Sequence, residues 1–233
     1  MPVPSSHGDQ QPLGWRARLG ALGSLGEERR RALYLFVRGV GRPVGRNEAA
    51  DAVGLSRGTA AAHLDRLVDD GVLVATFAKP AGSGGPGSGR PSKFYEPAVQ
   101  EVVAAVPQRS YELAGELLAA AAERSIAEGE PMAACIAAVG RAAGETLGRE
   151  HGSIGAVLEA AGYAPRSSAD GGIDLSNCPF HRLSREYRGV VCSLNGALLD
   201  GALAGCGDGQ HGIEPVDPDG PGHECCARVV PRS

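Results

Sequence analysis

Between positions 27 and 38, Leu33, Phe36 and Val37 fall on one face at helical spacing. Glu27 and Glu28 open this stretch and Arg38 closes it, an order that suits a helix dipole. Asn47 can cap a short helix over 48–53, which Gly54 ends. Ser56 can cap a second helix running to about Asp70, with Gly71 as its stop and Ala60, Leu64, Leu67 and Val68 as its apolar stripe. Two helices joined by a tight glycine turn within about 24 residues form a helix-turn-helix. Strand candidates follow at 72–74 and 90–95, on either side of a tract, AGSGGPGSG, that is too rich in glycine for regular structure.

Beyond the tract, a helix is predicted over about 99–128, divided by Pro107 so that its main part starts near Gln108, with Leu113, Leu117, Leu118 and Ala121 as its stripe. The pattern predicts further helices at 132–147 and 154–161, a strand at 173–175 and a short helix at 183–186. It ends with an amphipathic helix at 192–204 and a closing strand at 225–230. Residues 1–24, rich in Pro, Gly, Gln and Ser, read as a loose arm. The fold class expected is mainly α (α+β). Four segments are expected: an arm (1–24), a winged helix-turn-helix (25–97), a linker or dimerisation helix (98–130) and a C-terminal sensor domain (131–233).

Charge sharpens this division. The chain's net charge is -4, which by itself speaks against a nucleic-acid partner. Divided after Ala98, it becomes 13 basic against 9 acidic residues in front and 10 against 18 behind. No apolar run approaches the roughly 20 residues of a membrane span, and no signal-peptide core is evident at the start. The chain is expected to be cytoplasmic, with no membrane partner.

In the front part, Arg57, Thr59, Ala62, His63 and Arg66 lie on or beside the polar face of the second helix. A helix in the major groove of double-stranded DNA presents such residues to base edges. Ser56 at the helix start can meet a phosphate, and Arg90 and Lys93 beside the glycine tract can touch the backbone as a wing. A long helix after a wing pairs subunits in many DNA-binding proteins, because a homodimer matches a pseudo-palindromic operator.

All six cysteines lie in the acidic part. In a reducing compartment they read as metal ligands or redox groups rather than structural disulfides. Cys178, Cys192, Cys206 and Cys225 are separated by 13, 13 and 18 residues, and Cys226 adjoins. These intervals lack the tight pairs of zinc fingers, whereas thiolates spread over several elements can enclose an iron–sulfur cluster. Cys192 is expected to open its helix, where the positive end lowers a thiol pKa. Cys225 shares the apolar face of its strand with Ala227 and Val229, which favours it over Cys226 as the inward thiol. Cys135, within an apolar helix, reads as a small core residue. A zinc or thiol–disulfide sensor is the alternative. A cysteine-dependent enzyme is the weakest reading, since no orienting carboxylate, oxyanion hole or phosphate loop accompanies the thiols.

LSRGTAAAHLDRLVDDGVL, GRPSKFYEP and the C-terminal NCPFH, VVC and GHECC segments together resemble the SufR-type winged-helix repressors of iron–sulfur-cluster assembly genes, related to the ArsR and DeoR groupings. The resemblance covers about residues 25–230. It implies a homodimer carrying a [4Fe-4S] cluster in each subunit, with the loaded form bound to the operator and cluster loss releasing it. It also implies Cys178, Cys192, Cys206 and a cysteine of GHECC as ligands. The last interval is longer than the family pattern, which leaves the fourth ligand open among Cys206, His181 and Cys226.

Overall fold

The computed structural model describes residues 13–78, 91–99, 101–217 and 224–232. They fall into two compact units that meet in the chain between Ala104 and Ala105. Both are mainly helical, each with a small antiparallel sheet.

The first unit holds α1 (Trp15–Leu25), α2 (Glu28–Val40), β1 (Val44–Gly45), α3 (Arg46–Val53), α4 (Arg57–Asp69), β2 (Leu73–Ala78) and β3 (Ser92–Pro97). Leu33, Val37, Ala49, Ala50, Ala60, Leu64, Leu67 and Tyr95 close its core. The α3–α4 turn is set by Gly54 at φ +70, a conformation that costs glycine little. The Ser56 hydroxyl accepts the Thr59 N–H at 3.2 Å, so the predicted cap of α4 forms. Strand order is β1-β3-β2, with Tyr95 opposite both Val44 and Ala75. This is a helix-turn-helix followed by a two-stranded wing.

Two expectations are corrected in this region. Residues 15–25 are helical and bury Ala21 and Ser24 rather than forming a loose arm. Residues 101–110 are not helical, and the long helix starts only at Tyr111. Pro107 lacks the amide proton a helix interior needs and disfavours helical backbone at the preceding residue.

The second unit holds α5 (Tyr111–Glu128), α6 (Met132–His151), α7 (Ile154–Ala161), β4 (Pro165–Ser167), β5 (Ile173–Leu175), α8 (His181–Glu186), α9 (Arg188–Gly205), β6 (His211–Pro215) and β7 (Ala227–Pro231). Its sheet order is β4-β5-β7-β6. The helix expected to stand apart as a linker is part of this unit: Ala114, Leu117 and Ala121 of α5 share one core with α6, α7, α9 and β7. The closest packing is between α6 and α9. A Cβ built on Gly144 would lie 1.9 Å from the Leu198 carbonyl oxygen, and one on Gly201 would lie 2.1 Å from that of Arg141. Only glycine lets the two backbones approach so closely. Among the described residues, no helix is long and apolar enough to cross a membrane.

Candidate functional site

The helix-turn-helix presents its polar residues as the pattern of α4 dictates. Ala60, Leu64 and Leu67 are buried, so Arg57, Ala62 and Arg66 are left exposed on other faces. Ser56 is exposed at the cap, its hydroxyl 2.8 Å from that of Thr59. Arg66 pairs with Asp70 one turn on, at 2.9 Å. His63 is half-buried, and its Nδ1 lies 3.8 Å from a Glu27 carboxylate oxygen. Glu27 also caps α2, accepting from Arg29 and Arg30 N–H, and those bonds hold its carboxyl below the usual range. His63 is therefore tied toward the base of α2.

Lys93 is also engaged. Its Nζ reaches Asp65 of α4 at 2.6 Å and lies 5.3 Å from the Tyr95 ring centroid. Tyr95 Oη donates to the same carboxylate oxygen at 2.8 Å. Burial works to raise the Asp65 pKa, but the bonds from Lys93 and Tyr95 outweigh it and leave the carboxyl lowered. Burial first, then Asp65, pushes the Tyr95 hydroxyl well up. This trio fixes the wing strand on the recognition helix. Arg90, the other wing cation, lies outside the described residues. Sequence reasoning missed Arg46 and Asn47, exposed at the start of α3, where they line a groove with Phe77, Lys93 and Phe94. The signal was their position at the start of the first helix of the pair, where Asn47, expected as the cap, is the second residue of α3 and Gly45 takes the cap position with no side-chain bond.

In the second unit, four cysteines come together: Cys178, Cys192, Cys225 and Cys226. Cys178 follows β5 in a turn held by Asn177, whose amide donates to the carbonyls of Gln108 and Gly162. Arg109 donates to the Asn177 side-chain oxygen. The Pro179 carbonyl accepts from Ser110 N–H at 3.1 Å. Cys225 and Cys226 lead into β7, with Cys225 buried beside Ala227 and Val229 as its alternation predicts. Cys192 lies in the second turn of α9, because the helix begins at Arg188, before the predicted start.

The thiols form one chain of contacts, Cys178 to Cys225, Cys225 to Cys226, and Cys226 to Cys192. The bond from Cys225 lowers Cys178 against the opposing effect of burial. Bonds to its two neighbours, then burial, push Cys225 far up. Cys226 is lowered to about 6 by the bond from Cys225, with help from Cys192 and Asn195 and against burial. Burial first, then Cys226, pushes Cys192 up to about 12, which corrects the expectation that a helix start would lower it.

Behind the thiols lies a residue that sequence reasoning passed over. Asn195 is fully buried in α9. Its Nδ2 donates to Cys225 Sγ at 3.5 Å and to Cys226 Sγ at 3.6 Å. Its Oδ1 accepts from the buried Tyr163 hydroxyl at 2.6 Å. The available signal was an amide next to Leu194 in an otherwise apolar stripe.

Cys206 is the main correction. It sits at the C-terminal end of α9, where its thiol donates to the Gly148 carbonyl at 3.6 Å. It lies fourteen positions along the helix from Cys192, roughly 20 Å at 1.5 Å per residue. Cys226 takes its place in the group. His181 contributes a backbone N–H to Cys178 O at 3.1 Å. Cys135 is buried in the core, as expected. Among the described residues, no group of three or more His, Cys, Asp or Glu side chains has the geometry of a site for a metal ion.

Residues 46–74 match the winged helix-turn-helix DNA-binding family. That span runs from the first residue of α3 into β2. No curated protein and no solved structure matches the chain. The chain carries a winged helix-turn-helix DNA-binding domain, the equipment of a DNA-binding transcriptional regulator.

Proposed function

We propose that this chain is a cytoplasmic, homodimeric repressor of iron–sulfur-cluster assembly genes. Its binding to a pseudo-palindromic operator depends on a [4Fe-4S] cluster held by Cys178, Cys192, Cys225 and Cys226. The observation that carries this reading is the group of four thiols, two buried and two half-buried, in the same chain as a DNA-binding domain. The donor set suits the cofactor: four soft sulfurs from three segments of the chain, a hydrophobic shell, and an amide N–H directed at two of them. When bound, the cluster supplies a redox-sensitive and iron-dependent crosslink.

The protein's own part is to hold those sulfurs in place and to read DNA. Asn177, Arg109 and Ser110 fasten the Cys178 turn to the segment that opens α5. That segment follows the connection from the DNA-binding unit, so order in the turn can bias the chain entering it. The exposed Ser56, Arg57, Ala62 and Arg66, with Thr59, Arg46 and Asn47, meet DNA. Arg90 is assigned to the DNA backbone by sequence. Lys93 and His63 chiefly position the reading helix. Exposed apolar residues such as Ile126 on α5 support its use in pairing subunits.

Protein purified without oxygen should be brown and carry about four iron and four sulfide per chain. Cys226→Ser should lose the colour and operator affinity together, while Cys206→Ser should keep both. A colourless protein with stoichiometric zinc sinks the cluster reading in favour of a zinc sensor. A brown Cys226→Ser variant together with a colourless Cys206→Ser variant sinks the ligand assignment.

A further inference from the structure

The four thiols are not equally reachable. Cys178 is 3% exposed and Cys225 1%. Cys192 and Cys226 are half-buried and open on a groove of about 610 Å³ between α9 and the β6–β7 edge. Gly196, Asp200, Ile213 and Pro215 are among its other lining residues. Among the described residues, the groove therefore reaches the chain of thiols at one end, and there it meets two thiols already in contact.

We infer that Cys192 and Cys226 are an oxidation site, at which a small soluble disulfide converts the cluster-free protein to an intramolecular Cys192–Cys226 disulfide. The inference rests on the sensor reading for its biological use, since a cluster held by the same sulfurs protects them. Its chemistry needs only the cluster-free chain. One of the two cysteines, as its thiolate, attacks one sulfur of the incoming disulfide, forming a mixed disulfide and expelling one thiolate. The second cysteine then attacks the protein sulfur of that mixed disulfide, closing the Cys192–Cys226 bond and expelling the other thiolate. The two cysteine protons end on the two departing thiols. Two cysteine sulfurs are oxidised and one disulfide is reduced.

The other contacts are poor competitors. Cys225 and Cys226 are adjacent, so their Cα atoms stand about 3.8 Å apart, closer than the roughly 4.4–6.8 Å usual for a disulfide. Cys178 and Cys225 touch, but both are closed to solvent, and thiol–disulfide exchange needs access to the attacked sulfur. The oxidised pair removes two of the four sulfurs from the cluster site, so this protein cannot reload until it is reduced.

The test uses the full chain, freed of metal by an anaerobic chelator and treated with glutathione disulfide. Free thiols are counted, and linked peptides are mapped by mass. The expected result is a loss of two of the six free thiols, a Cys192–Cys226 crosslink, and recovery on adding dithiothreitol. Cys192→Ser should stop at a lasting glutathione adduct on Cys226. A Cys178–Cys225 crosslink, or a full thiol count after treatment of the wild-type chain, overturns the inference. A chain that crosslinks as stated yet never takes up a cluster refutes the sensor reading and leaves this site standing.

Discussion

Asn195 links the thiols to the core. An amide with no exposure needs all its bonds, and here they run to Tyr163 on one side and two sulfurs on the other. Asn195→Ala strands the Tyr163 hydroxyl in a dry site and should cost about 1–3 kcal/mol in chemical denaturation. Tyr163→Phe strands the amide oxygen at a similar cost. The double variant should cost less than the two single losses added, because each single change leaves the other's partner buried and unpaired. Strict additivity would refute the link. Sequence reasoning had no access to this residue, since its role comes from tertiary placement. Similar limits shaped the choice of thiols. The near-regular 13-residue intervals drew attention to Cys206, but the rigid rise of α9 carries it out of reach, and the adjoining Cys226 fills the place.

Asp170 gives a pH-dependent case at the same scale. Two hydrogen bonds from Arg228, at 2.6 and 2.7 Å, and one from the Gly172 N–H hold it at about 2 against its ordinary 3.8. A depressed carboxylate contributes stability above its ordinary pKa and loses it as pH falls through the folded value. That contribution should be complete near pH 5 and disappear between about pH 4 and 2. In Arg228→Met the Asp170 carboxyl should titrate close to its ordinary value, as read from its NMR carbon shift. A titration still near 2 would assign the shift to the Gly172 N–H instead.

Glycine has opposite consequences in two helices. In α6 and α9 it is a packing device, because Gly144 and Gly201 leave no room for a methyl group. Gly144→Ala should drive the helices apart and cost about 1–3 kcal/mol or more, with a drop in melting temperature. Since α9 carries Cys192 and Asn195, the same change should also weaken cluster retention. In α1, Gly20 is exposed and has nothing within 4 Å of a built Cβ. Gly20→Ala should add about 0.5–1 kcal/mol through helix propensity. Equal responses in the two variants would contradict the close contact. These glycines also explain which elements were legible. The helix-turn-helix announced itself through caps, stripes and glycine stops, each a local signal. The α1 helix did not, because Gly14, Gly20 and Gly23 read as arm composition. The stretch before Tyr111 read as helix from its apolar residues, although Pro107 excluded that.

At the scale of the molecule, the net charge of -4 divides between the two units, a division legible in the order of charged residues along the chain. The geometry adds a distinction within the basic unit. Lys93 is paired with Asp65 and Arg66 with Asp70, whereas Arg57 is exposed in the first turn of the reading helix. A cation that neutralises a DNA phosphate releases condensed counterions, so each such contact adds about 0.9 to the slope of log affinity against log salt. Arg57→Ala should therefore lower the slope by about 1 per subunit contact, and it should weaken binding to operator and random duplex alike. Lys93→Met should act differently, because losing the bridge to Asp65 loosens the wing against α4 and leaves that carboxylate without its cation. It should reduce operator affinity more than random-duplex affinity, and change the slope less than Arg57→Ala does. Fluorescence anisotropy at several salt concentrations, on both duplexes, separates these outcomes. A slope unchanged by Arg57→Ala would move the phosphate contact to another residue, with Arg46 at the start of α3 the first to test.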